Sequence, residues 1–579
     1  MKGFFNRLLR IDLTAKTARY EELPDTVLSQ TLGGKGLGIH LLMKENPKAV
    51  LPLAPENKFF IITGPVTGTK LWSQSRFAVY SKSPATNGFC ESYCGGSLAP
   101  KIKGCGVDAI VLEGKSGSLT YLTIDDNRVE FHDAAELKGE DTFVTEDHIL
   151  KHSAPNAGAM VIGPAGENLV SCACIKSDRW RSLGRGGMGA VLGSKNVKGI
   201  SFAGSRKAEL ANENLLLEIN KAVAVKGKES QATGIYRKFG TPNQVRVTNL
   251  FKCFPTRYWQ AGHCDNWKNL SADYMQANFE VTGAGCPSCF LRCTKKSKIK
   301  HGRHKGLELE GPEFETIYAI GGLNCLENLE EVAYLNDICD RLGLDTISAG
   351  NLSAFVVEAY KRGKSDFKID YNQPDRIAEL YHMIADREGI GDILAKGIKV
   401  AAAQWDLDDL AIHVKGLEPA GFDPRVLKGM GLSYATAARG ACHLRGTFYK
   451  AELSGEMDKD QIVGKAKLHI DYEDRAALFD SLILCRFFRD FFYWDELSKI
   501  ILATTGLILD KHKMEILANR ITQQTRQFNL REGLDGSTDT LPKRFFKEKN
   551  KEGASLTEQK LQTMIDEYNA IRNKRSQMD

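Results

Sequence analysis

Three cysteines within one short segment constrain the folding of this chain more than any other feature. The segment GAGCPSCFLRCTK, residues 283–295, places Cys286, Cys289 and Cys293 in a C-x2-C-x3-C pattern. Structural zinc sites usually take their thiolates as two separated pairs, whereas three cysteines from one tight loop with a distant fourth suit a cubane iron–sulfur cluster. The spacing therefore favours an iron–sulfur cluster, with zinc binding and chance clustering as the alternatives.

Cysteine usage and charge indicate a cytoplasmic protein. The fourteen cysteines are spread over 579 residues, without the density of a secreted disulfide scaffold. The first residues, MKGFFNRLLRIDL, carry charges that interrupt the apolar segment of a secretory signal. No run approaches the ~18 apolar residues that a membrane span needs, and a net charge of +6 gives no reason to expect nucleic acid as a partner. We therefore expect reduced thiols that bind metal rather than disulfides.

Hydrophobic periodicity divides the chain into a sheet-rich part and a helical part, which predicts an α+β fold. Residues 4–22 alternate apolar and polar and turn near residues 14–16, as a hairpin does. Strand-like segments continue to about residue 205, helical spacing dominates afterwards, and a Gly- and Pro-rich break at 417–424 divides the helical part. The predicted domains are residues 1–207, a sheet-rich base, residues 208–417, a helical domain that carries the three-cysteine loop, and residues 418–579, a C-terminal helical domain.

Glycine-rich loops are numerous in the predicted sheet domain. They include GGKGLG at 33–38, GPVTGT at 64–69, CGG at 94–96 and GRGGMGAVLGSKN at 184–196. The last contains G-x-G-x-x-G, but DRWRSL precedes it where a dinucleotide fold needs a buried strand, so the match is weak. Several such loops can bring backbone N–H groups close to the phosphates of a large cofactor, and the alternative is that they are ordinary turns.

Two short segments resemble each other and suggest a repeated contact. DRLGLD at 340–345 and DSLILC at 480–485 each begin with an acidic residue and have Leu at the third and fifth positions. Two similar segments could hold two copies of one cofactor unit, and the alternative is that each is an ordinary helix end.

Carboxylates and a histidine supply candidates for proton transfer. GPEFET at 311–316 contains Glu313 and Glu315, and ACHLRGT at 441–447 contains His443 and Arg445. A carboxylate and an imidazole are a natural pair for moving protons near neutral pH. The alternative is that His443 is a packed core residue.

A basic segment follows the third cysteine directly. TKKSKIKHGRHKG, residues 294–306, suggests a docking surface for an acidic electron carrier, and the alternative is a solvated loop.

Together these motifs resemble the tungsten-dependent aldehyde:ferredoxin oxidoreductase family. The similarity runs along nearly the whole chain and also includes SRFAVYSKSP, CGGSLAPKIKGCGVDAIVLEG and RQFNLREG. The resemblance implies a sheet-rich domain on which two molybdopterins lie, with two helical domains above them. It further implies tungsten or molybdenum held by the two pterins, one [4Fe-4S] cluster, and a Mg2+ that bridges the pterin phosphates through main-chain carbonyls.

The resemblance also implies a role for individual residues. Cys485 becomes the fourth cluster ligand with Cys286, Cys289 and Cys293, while Glu313 and His443 fall where the family handles protons. The residues implied at the cofactor are Arg76, Tyr93, Gly95, Arg185, Gly186, Asp340, Asp345, Arg445, Asp480 and Leu484. Of these, Arg76 is expected between cofactor and cluster, and Tyr93 and Gly186 are expected to offer carbonyls to Mg2+. Tyr93 and Ile483 depart from the family pattern, which often has Asn and Gly at these positions.

The implied function is oxidation of an aldehyde to the carboxylic acid, with ferredoxin or an iron–sulfur subunit as electron acceptor. Two alternatives stay open at this stage. The first is the catalytic subunit of a tungsten-dependent aromatic-ring reductase that acts on a benzoyl-CoA type thioester. The second is a non-catalytic binding protein stabilised by metal. A homodimer or a hetero-oligomer is compatible with each of these functions.

Overall fold

The computed structural model describes residues 1–126 and 128–577. Within them, fifteen strands form two sheets of six and one sheet of three. The strands are β1 (Arg7–Asp12), β2 (Thr17–Glu22), β3 (Phe59–Ile62), β4 (Phe77–Lys82), β5 (Phe89–Cys94), β6 (Ala109–Glu113), β7 (Thr120–Ile124), β8 (Val129–Asp133), β9 (Gly158–Val161), β10 (Ile175–Ser177), β11 (Arg181–Leu183), β12 (Val197–Phe202), β13 (Phe279–Ala284), β14 (Thr294–Ile299) and β15 (Glu308–Glu310).

Helices connect these strands and make up most of the chain after residue 212. In the N-terminal part they are α1 (Asp25–Thr31), α2 (Gly34–Glu45), α3 (Leu98–Gly104), α4 (Thr142–Lys151), α5 (Pro164–Glu167) and α6 (Met188–Ser194). The later helices are α7 (Glu213–Glu229), α8 (Gln231–Phe239), α9 (Asn243–Leu250), α10 (Ala272–Asn278), α11 (Phe314–Thr316), α12 (Leu329–Leu342), α13 (Thr346–Lys361), α14 (Pro374–Asp386), α15 (Ile390–Ala395), α16 (Ile398–Trp405), α17 (Lys428–Thr436), α18 (Tyr449–Ser454), α19 (Lys465–Leu482), α20 (Trp494–Thr505), α21 (Lys511–Arg531), α22 (Lys543–Lys547) and α23 (Glu558–Ser576). A π-helical turn, Ile317–Gly322, continues α11, and 3-10 turns lie at Ala135–Leu137, Trp267–Leu270, Arg486–Phe488 and Gly536–Thr538.

The two six-stranded sheets share one strand order, which indicates two copies of the same structural unit. The first sheet runs β2-β1-β6-β3-β4-β5 and the second runs β8-β7-β12-β9-β10-β11. In each unit the first and last strands are parallel neighbours, β1 with β6 and β7 with β12, while the other pairs are antiparallel. Strands β1–β6 therefore correspond one by one to β7–β12.

The two sheets share an apolar cluster that excludes water from one face of each. Ile11 and Ile61 from the first sheet belong to the same buried cluster as Leu122 and Met160 from the second. Burying one such side chain contributes ~1.5–3 kcal/mol, so a cluster of this kind fixes which face of each sheet points inward. The opposite face of the first sheet packs against α2, α19 and α21 in a second apolar cluster, which includes Leu8.

The predicted α+β fold is confirmed: sheets come first and helices dominate afterwards. The hairpin predicted for residues 4–22 is the antiparallel pair β1 and β2. The helical spacing predicted after residue 205 corresponds to α7, α12, α13 and α14, among others. The three-cysteine loop, however, connects the antiparallel strands β13 and β14 rather than two helices. No helix among the described residues has the length and apolar character needed to cross a membrane.

Candidate functional site

The two similar segments, DRLGLD and DSLILC, occupy equivalent positions at the ends of α12 and α19. After each helix the chain turns through a left-handed residue, Gly343 with φ 76° and Ile483 with φ 60°. A left-handed conformation costs a residue with a Cβ roughly 1–2 kcal/mol, so glycine suits this turn and isoleucine does not. Ile483 is nevertheless 1% exposed, and its side chain packs against Gly34 and Gly64.

Each copy of the repeated N-terminal unit holds one of these segments. A Cβ on Gly64, just after β3, would lie 2.4 Å from the carbonyl oxygen of Leu482. A Cβ on Gly163, just after β9, would lie 2.6 Å from the carbonyl oxygen of Leu342. Because only glycine permits so close a backbone approach, both positions require it. Since β3 and β9 correspond in the repeat, the two segments are held in equivalent ways. We call the contact of Gly64 with Leu482 the first cradle and that of Gly163 with Leu342 the second cradle. Two copies of one cofactor unit would need such a matched pair.

The four cysteines predicted to bind a cluster lie within electrostatic reach of one another. Burial raises the pKa of Cys289 to about 12, and the neighbouring thiols of Cys485 and Cys286 add to the shift. Burial also raises the pKa of Cys293, again with contributions from Cys485, Cys286 and Cys289. The distant Cys485 is positioned by its own backbone N–H, which donates to the hydroxyl of Ser73 at 2.9 Å.

These thiols do not form a compact site for a single metal ion. In tetrahedral zinc sites the Zn–S bonds of ~2.3 Å place sulfurs about 3.8 Å apart. Within residues 1–126 and 128–577, no three Cys, His, Asp or Glu side chains converge closely enough to hold one metal ion. Four thiols that approach one another without meeting fit a cubane, in which each thiolate binds a different iron.

Two hydrogen-bond donors face this thiol group from the N-terminal domain. The N–H of Gly96 donates to Cys286 Sγ at 3.2 Å, and Arg76 Nη1 donates to Cys485 Sγ at 3.8 Å. Burial opposes the charge of Arg76, but the thiols of Cys485 and Cys286 raise its pKa. Gly95 also lies against the group, because a Cβ there would be 3.1 Å from Cys286 Sγ. Hydrogen bonds donated to cluster sulfurs adjust the reduction potential in iron–sulfur proteins. The donors around these four thiols are therefore of the kind that an iron–sulfur cluster needs.

A buried network of charges surrounds the DSLILC segment. Arg445 Nη1 lies 2.9 Å from Glu91 Oε1 and also contacts Asp480, which Arg486 contacts at 2.7 Å. Lys35 Nζ donates to Glu91 at 3.1 Å. Burial alone would disfavour ionised Glu91, but Arg445 and Lys35 hold its pKa below the ordinary value. The ring of Tyr93 lies 4.9 Å below Arg445, and its hydroxyl donates to Glu91 at 2.7 Å. Leu484 is buried within the apolar cluster beside this network.

A second buried network surrounds the DRLGLD segment. Lys176 Nζ donates to Asp340 at 2.6 Å. Asp345 caps α13 by accepting from the N–H of Ile347 at 3.0 Å and lies 3.0 Å from Arg185 Nε. Gly186 follows with φ 85°, and its carbonyl accepts from the hydroxyl of Ser83 at 2.8 Å. The aspartates predicted at the cofactor are therefore buried and paired with cations in both networks.

Several buried donors in these networks have no partner within the described chain. They are Arg185 Nη1, Arg439 Nε, Arg445 Nε and Arg486 Nε, and His443 Nδ1, which is a donor or an acceptor according to the tautomer, also lacks a partner. A buried donor without an acceptor costs roughly 1–3 kcal/mol, and native structures satisfy nearly all of them. A concentration of such donors on arginine is the chemistry that an anionic, acceptor-rich ligand would complete. The residues present thus fit a pair of phosphate-bearing pterins.

His443 pairs with Glu315 rather than with Glu313. His443 Nε2 lies 3.5 Å from Glu315 Oε1, and the N–H of Gly421 donates to the other oxygen, Oε2, at 2.9 Å. Burial raises the pKa of Glu315 to about 8. Burial and the charges of Arg439 and other nearby arginines lower the pKa of His443 well below its ordinary value. At neutral pH this is a neutral imidazole beside a carboxyl group that can gain or lose a proton.

Glu313, the glutamate chosen from the sequence, faces a different neighbourhood. It accepts from the hydroxyl of Thr241, and that hydroxyl in turn accepts from the N–H of Phe314 at 3.0 Å. Burial raises the pKa of Glu313, and Glu313 contributes to the raised pKa of Cys293. Glu313 therefore lies on the thiol side, and the described contacts do not join it to His443.

The basic segment 294–306 is less available for docking than its composition suggested. Its first six residues form strand β14, where Lys295 is buried and donates to the Tyr236 carbonyl at 3.0 Å. Lys298 pairs with Glu308 at 3.0 Å, and Arg303 pairs with Glu331 at 2.6 Å and with Asp375 at 2.8 Å. Much of its positive charge is thus compensated within the chain.

An open cavity of about 830 Å³ lies instead beside two of the thiols. Its lining includes Trp72, Arg237, Cys286, Cys289, Phe290 and Arg292. Arg237 and Arg292 are exposed, and neither has an ion-pair partner among the described residues. This surface, which we call the thiol cavity, combines access to the thiols with uncompensated positive charge.

Sequence reasoning missed several polar residues that complete the site. Glu91, Lys35, Lys176, Arg439 and Glu418 are all buried. The sequence does contain an indication of them: a charged residue lies within a segment whose other residues predict burial, as in FCESYC around Glu91 and CIKSD around Lys176. Buried charges of this kind are retained only when paired, so they mark a network whose partners lie elsewhere in the chain.

Models of one protein family match two parts of this chain. Residues 8–204 match aldehyde ferredoxin oxidoreductase, N-terminal domain, and residues 218–574 match aldehyde ferredoxin oxidoreductase, domains 2 and 3. Similar curated proteins include the tungsten-containing aldehyde ferredoxin oxidoreductases of Pyrococcus furiosus and Thermococcus kodakarensis. Each is 35% identical over 587 residues, which is 99% of this chain and 96% of the relative.

A more distant relative and a solved structure extend the comparison. The aliphatic sulfonate oxidoreductase, WOR-like subunit, of Pyrococcus furiosus is 30% identical over 84% of this chain and 80% of its own length. The active site complex BamBC of benzoyl coenzyme A reductase, solved with 1,5 dienoyl-CoA, covers 99% of this chain and 94% of its own with a TM-score of 0.84. At 22% identity this structural similarity shows a common fold and nothing further.

Proposed function

The chain belongs to the aldehyde ferredoxin oxidoreductase family, and on this premise we propose that it oxidises an aldehyde to the carboxylic acid with ferredoxin as electron acceptor. One aldehyde and one water give one carboxylate, three protons and two electrons. The oxygen of water becomes bonded to the carbonyl carbon, the aldehyde C–H bond breaks, and two ferredoxins each take one electron. The observation that carries the proposal is the His443–Glu315 pair beside buried arginines whose donors lack partners.

The two networks would hold a bis-molybdopterin cofactor with tungsten or molybdenum. When bound, the metal supplies Lewis acidity and accepts two electrons. Asp480 and Arg445 would hold one pterin in the first cradle, and Asp340, Asp345 and Arg185 would hold the other in the second. The carbonyls of Tyr93 and Gly186 are our proposed ligands for a Mg2+ that would offset the negative charge of the pterin phosphates.

His443 would orient the attacking water beside the carbonyl of the substrate. When Glu315 is ionised, His443 Nε2–H faces the carboxylate at 3.5 Å, and Nδ1 carries no proton because a neutral imidazole has one donor and one acceptor. Nδ1 is buried and has no partner in the described chain, so it can accept a hydrogen bond from that water.

Glu315 would take the proton of the attacking water through His443, which gains the water proton on Nδ1 as its Nε2 proton passes to the carboxylate. A general base is most effective when its pKa lies near the working pH, and burial brings the pKa of Glu315 to about 8. This role replaces the assignment of Glu313 that the sequence favoured. Glu313 stays the alternative base, and the two glutamates can be distinguished by identical substitutions.

Electrons would leave through the thiol group. Cys286, Cys289, Cys293 and Cys485 would bind one [4Fe-4S] cluster, with Arg76 between it and the pterin of the first cradle. An acidic ferredoxin would approach at the thiol cavity, where Arg237 and Arg292 offer positive charge. Complementary charge of this kind mainly raises the rate of encounter.

The experiment that tests the function combines metal analysis with turnover. Protein purified without oxygen is analysed for W, Mo, Fe and Zn, and its activity is measured with acetaldehyde or benzaldehyde and ferredoxin or a viologen dye. We expect tungsten or molybdenum together with iron, and turnover of an aldehyde. Reduction of benzoyl-CoA without aldehyde oxidation would favour the ring reductase, and zinc without pterin would favour the binding protein.

A further inference from the structure

Tyr93 lies in the first buried network with a side chain that the proposed function does not use. It stands on β5, two residues after Glu91, so both side chains project from the same face of this strand. Tyr93 is half-buried, and Glu91 is buried. Tyr93 is also one of the two positions at which the sequence departs from the family pattern. The proposed Mg2+ contact uses only its carbonyl, which leaves the ring and the hydroxyl without a function.

The ring of Tyr93 supports one face of the Arg445 guanidinium. The Cζ atom of Arg445 lies 4.9 Å from the ring centroid, and Arg445 is 5% exposed. A cation over an aromatic ring is attracted by the negative face of the ring, and the attraction is stronger where water is excluded. A planar guanidinium on a ring cannot tilt away without losing this contact. The ring therefore restrains the plane of the guanidinium.

The hydroxyl of Tyr93 orients the carboxylate that holds Arg445 from the side. It donates to Glu91 Oε2 at 2.7 Å, and it accepts from the hydroxyl of Tyr80 at 3.2 Å. The other oxygen, Glu91 Oε1, contacts Arg445 Nη1 at 2.9 Å. The same oxygen accepts from Lys35 at 3.1 Å. Glu91 is thus fixed at both of its oxygens, and one of these contacts comes from Tyr93.

Tyr93 is itself held by the sheet and by Tyr80. It lies opposite Ala78 on β4, and its ring meets the Tyr80 ring edge to face with centroids 6.2 Å apart. Tyr80 is fully buried. Gly38 of α2 packs directly on the Tyr80 ring, since a Cβ there would lie 2.5 Å from it. The support under Arg445 is therefore fixed by packing from two elements.

The contacts of Arg445 leave its Nε free for a ligand. Both of its ion pairs, with Glu91 and with Asp480, are made through Nη1. Its Nε is buried and has no partner among the described residues. The ring sets the plane of the guanidinium and the Nη1 contacts set its rotation within that plane, so the Nε–H points in one direction. An oxygen of a bound cofactor would complete this donor.

We propose that the side chain of Tyr93 is a positioning residue, which holds Arg445 so that its Nε–H meets an oxygen of the pterin in the first cradle. The proposal rests on the bis-molybdopterin cofactor of the proposed function. Tyr93 acts through Arg445 in two ways: the ring supports the guanidinium, and the hydroxyl fixes the carboxylate of Glu91. Substitutions can remove these two contributions one at a time.

Retention of the pterin by the intact holoprotein tests the proposal. Protein purified without oxygen is incubated at a fixed temperature, and the rate constants for loss of pterin and of tungsten or molybdenum are measured. Tyr93→Leu removes the ring and the hydroxyl, and we expect it to raise these rate constants roughly 3-fold to 30-fold, the factor of one buried cation–π contact. Tyr93→Phe keeps the ring, so its effect should be smaller. Iron content and the circular dichroism spectrum show whether each variant keeps its cluster and its fold.

A double-mutant cycle separates this role from a merely structural one. In the Arg445→Gln background, Tyr93→Leu should change the rate constants by less than about twofold, because no guanidinium is left to position. If Tyr93→Leu has the same effect in both backgrounds, Tyr93 does not act through Arg445 and the proposal is overturned. Tyr20→Leu is the matched control, since Arg7 lies 3.9 Å above the Tyr20 ring on the exposed strand β2. It should leave retention of the pterin unchanged.

The outcomes distinguish this proposal from the proposed function. Wild-type protein that contains neither pterin nor tungsten or molybdenum would overturn the proposed function, and the proposal with it. If the wild-type protein holds the cofactor and oxidises an aldehyde, but Tyr93→Leu loses the pterin no faster, the proposal is wrong while the function stands. If Tyr93→Leu does not fold, Tyr93→Met supplies the variant without a ring, and the same outcomes apply to it.

Discussion

Replacing Glu315 by glutamine tests the proton pathway most directly. Burial raises the pKa of this carboxyl to about 8, against the opposing effects of the Gly421 N–H and the Arg185 charge. Only the ionised carboxylate can accept a proton. Activity should therefore increase with pH as the Glu315 carboxyl group is deprotonated. With a pKa near 8, about 9% of molecules carry the base at pH 7 and about 91% at pH 9, and kcat/KM should rise roughly tenfold between them.

Glu315→Gln keeps the size of the side chain and removes the base. We expect kcat/KM at pH 9 to fall by roughly 10²–10⁴-fold, the usual contribution of a positioned base. We also expect the rise through pH 8 to disappear. The assay follows anaerobic reduction of a viologen dye by a simple aldehyde between about pH 6 and pH 10. Tungsten and iron are quantified in each variant to show that the cofactors are retained.

Glu313→Gln is the matched control, because it makes the same change two residues away at another buried glutamate. It should preserve the rise through pH 8 and lower the rate less than Glu315→Gln does. The opposite pattern, with the rise lost in Glu313→Gln and kept in Glu315→Gln, would refute the assignment and restore the glutamate that the sequence favoured. A rise that survives in both variants would mean that neither residue is the base.

Three further predictions concern the cluster, the electron partner and the C-terminal helix. Cys485→Ser should lower the iron content and the electron paramagnetic resonance signal of the reduced cluster, whereas Cys325→Ser should change neither. Arg292→Glu at the thiol cavity should slow reduction of ferredoxin at low salt while leaving reduction of viologen within about twofold, since steering acts on charged partners. Lys298→Glu, whose lysine is paired with Glu308, should have the smaller effect, and equal effects would contradict the location. Arg572→Gln leaves the buried carboxylates of Glu473 and Asp474 without their shared cation. It should destabilise the fold by ~3–5 kcal/mol, seen as a lower denaturation midpoint, and the half-buried control Arg575→Gln should cost less.

Much of the fold could be predicted because its periodicity is local. The hairpin of β1 and β2 alternates with period two, and α12, α13 and α14 carry apolar residues at helical spacing. Strands β5, β10 and β11 were not predicted, since charged residues interrupt them. Glu91 in β5 is neutralised by Arg445, which lies far away in sequence. A local pattern cannot show that a distant charge makes such a residue suitable for burial.

The site was only partly predictable for the same reason. The family resemblance suggested Glu313 and His443 as the residues that handle protons, whereas in the structure Glu315 is the glutamate that lies 3.5 Å from His443. Glu313 is the N-cap of α11 and Glu315 lies in its first turn. Side chains two positions apart on a helix point in different directions, so only one of them can face His443. Which one does so depends on the rotation of this short helix, and that is set by tertiary contacts such as the one between Thr241 and Glu313.

The duplicated N-terminal unit provides two matched cradles, yet the two matched segments end differently. The sixth residue of one segment is Cys485, while the corresponding residue of the other is Asp345, which caps a helix instead. Two chemically identical pterins would therefore have different electrostatic surroundings. If the four cysteines hold a cluster as proposed, only the pterin beside Cys485 would pass single electrons to it, and the other pterin would serve to hold the metal and adjust its charge.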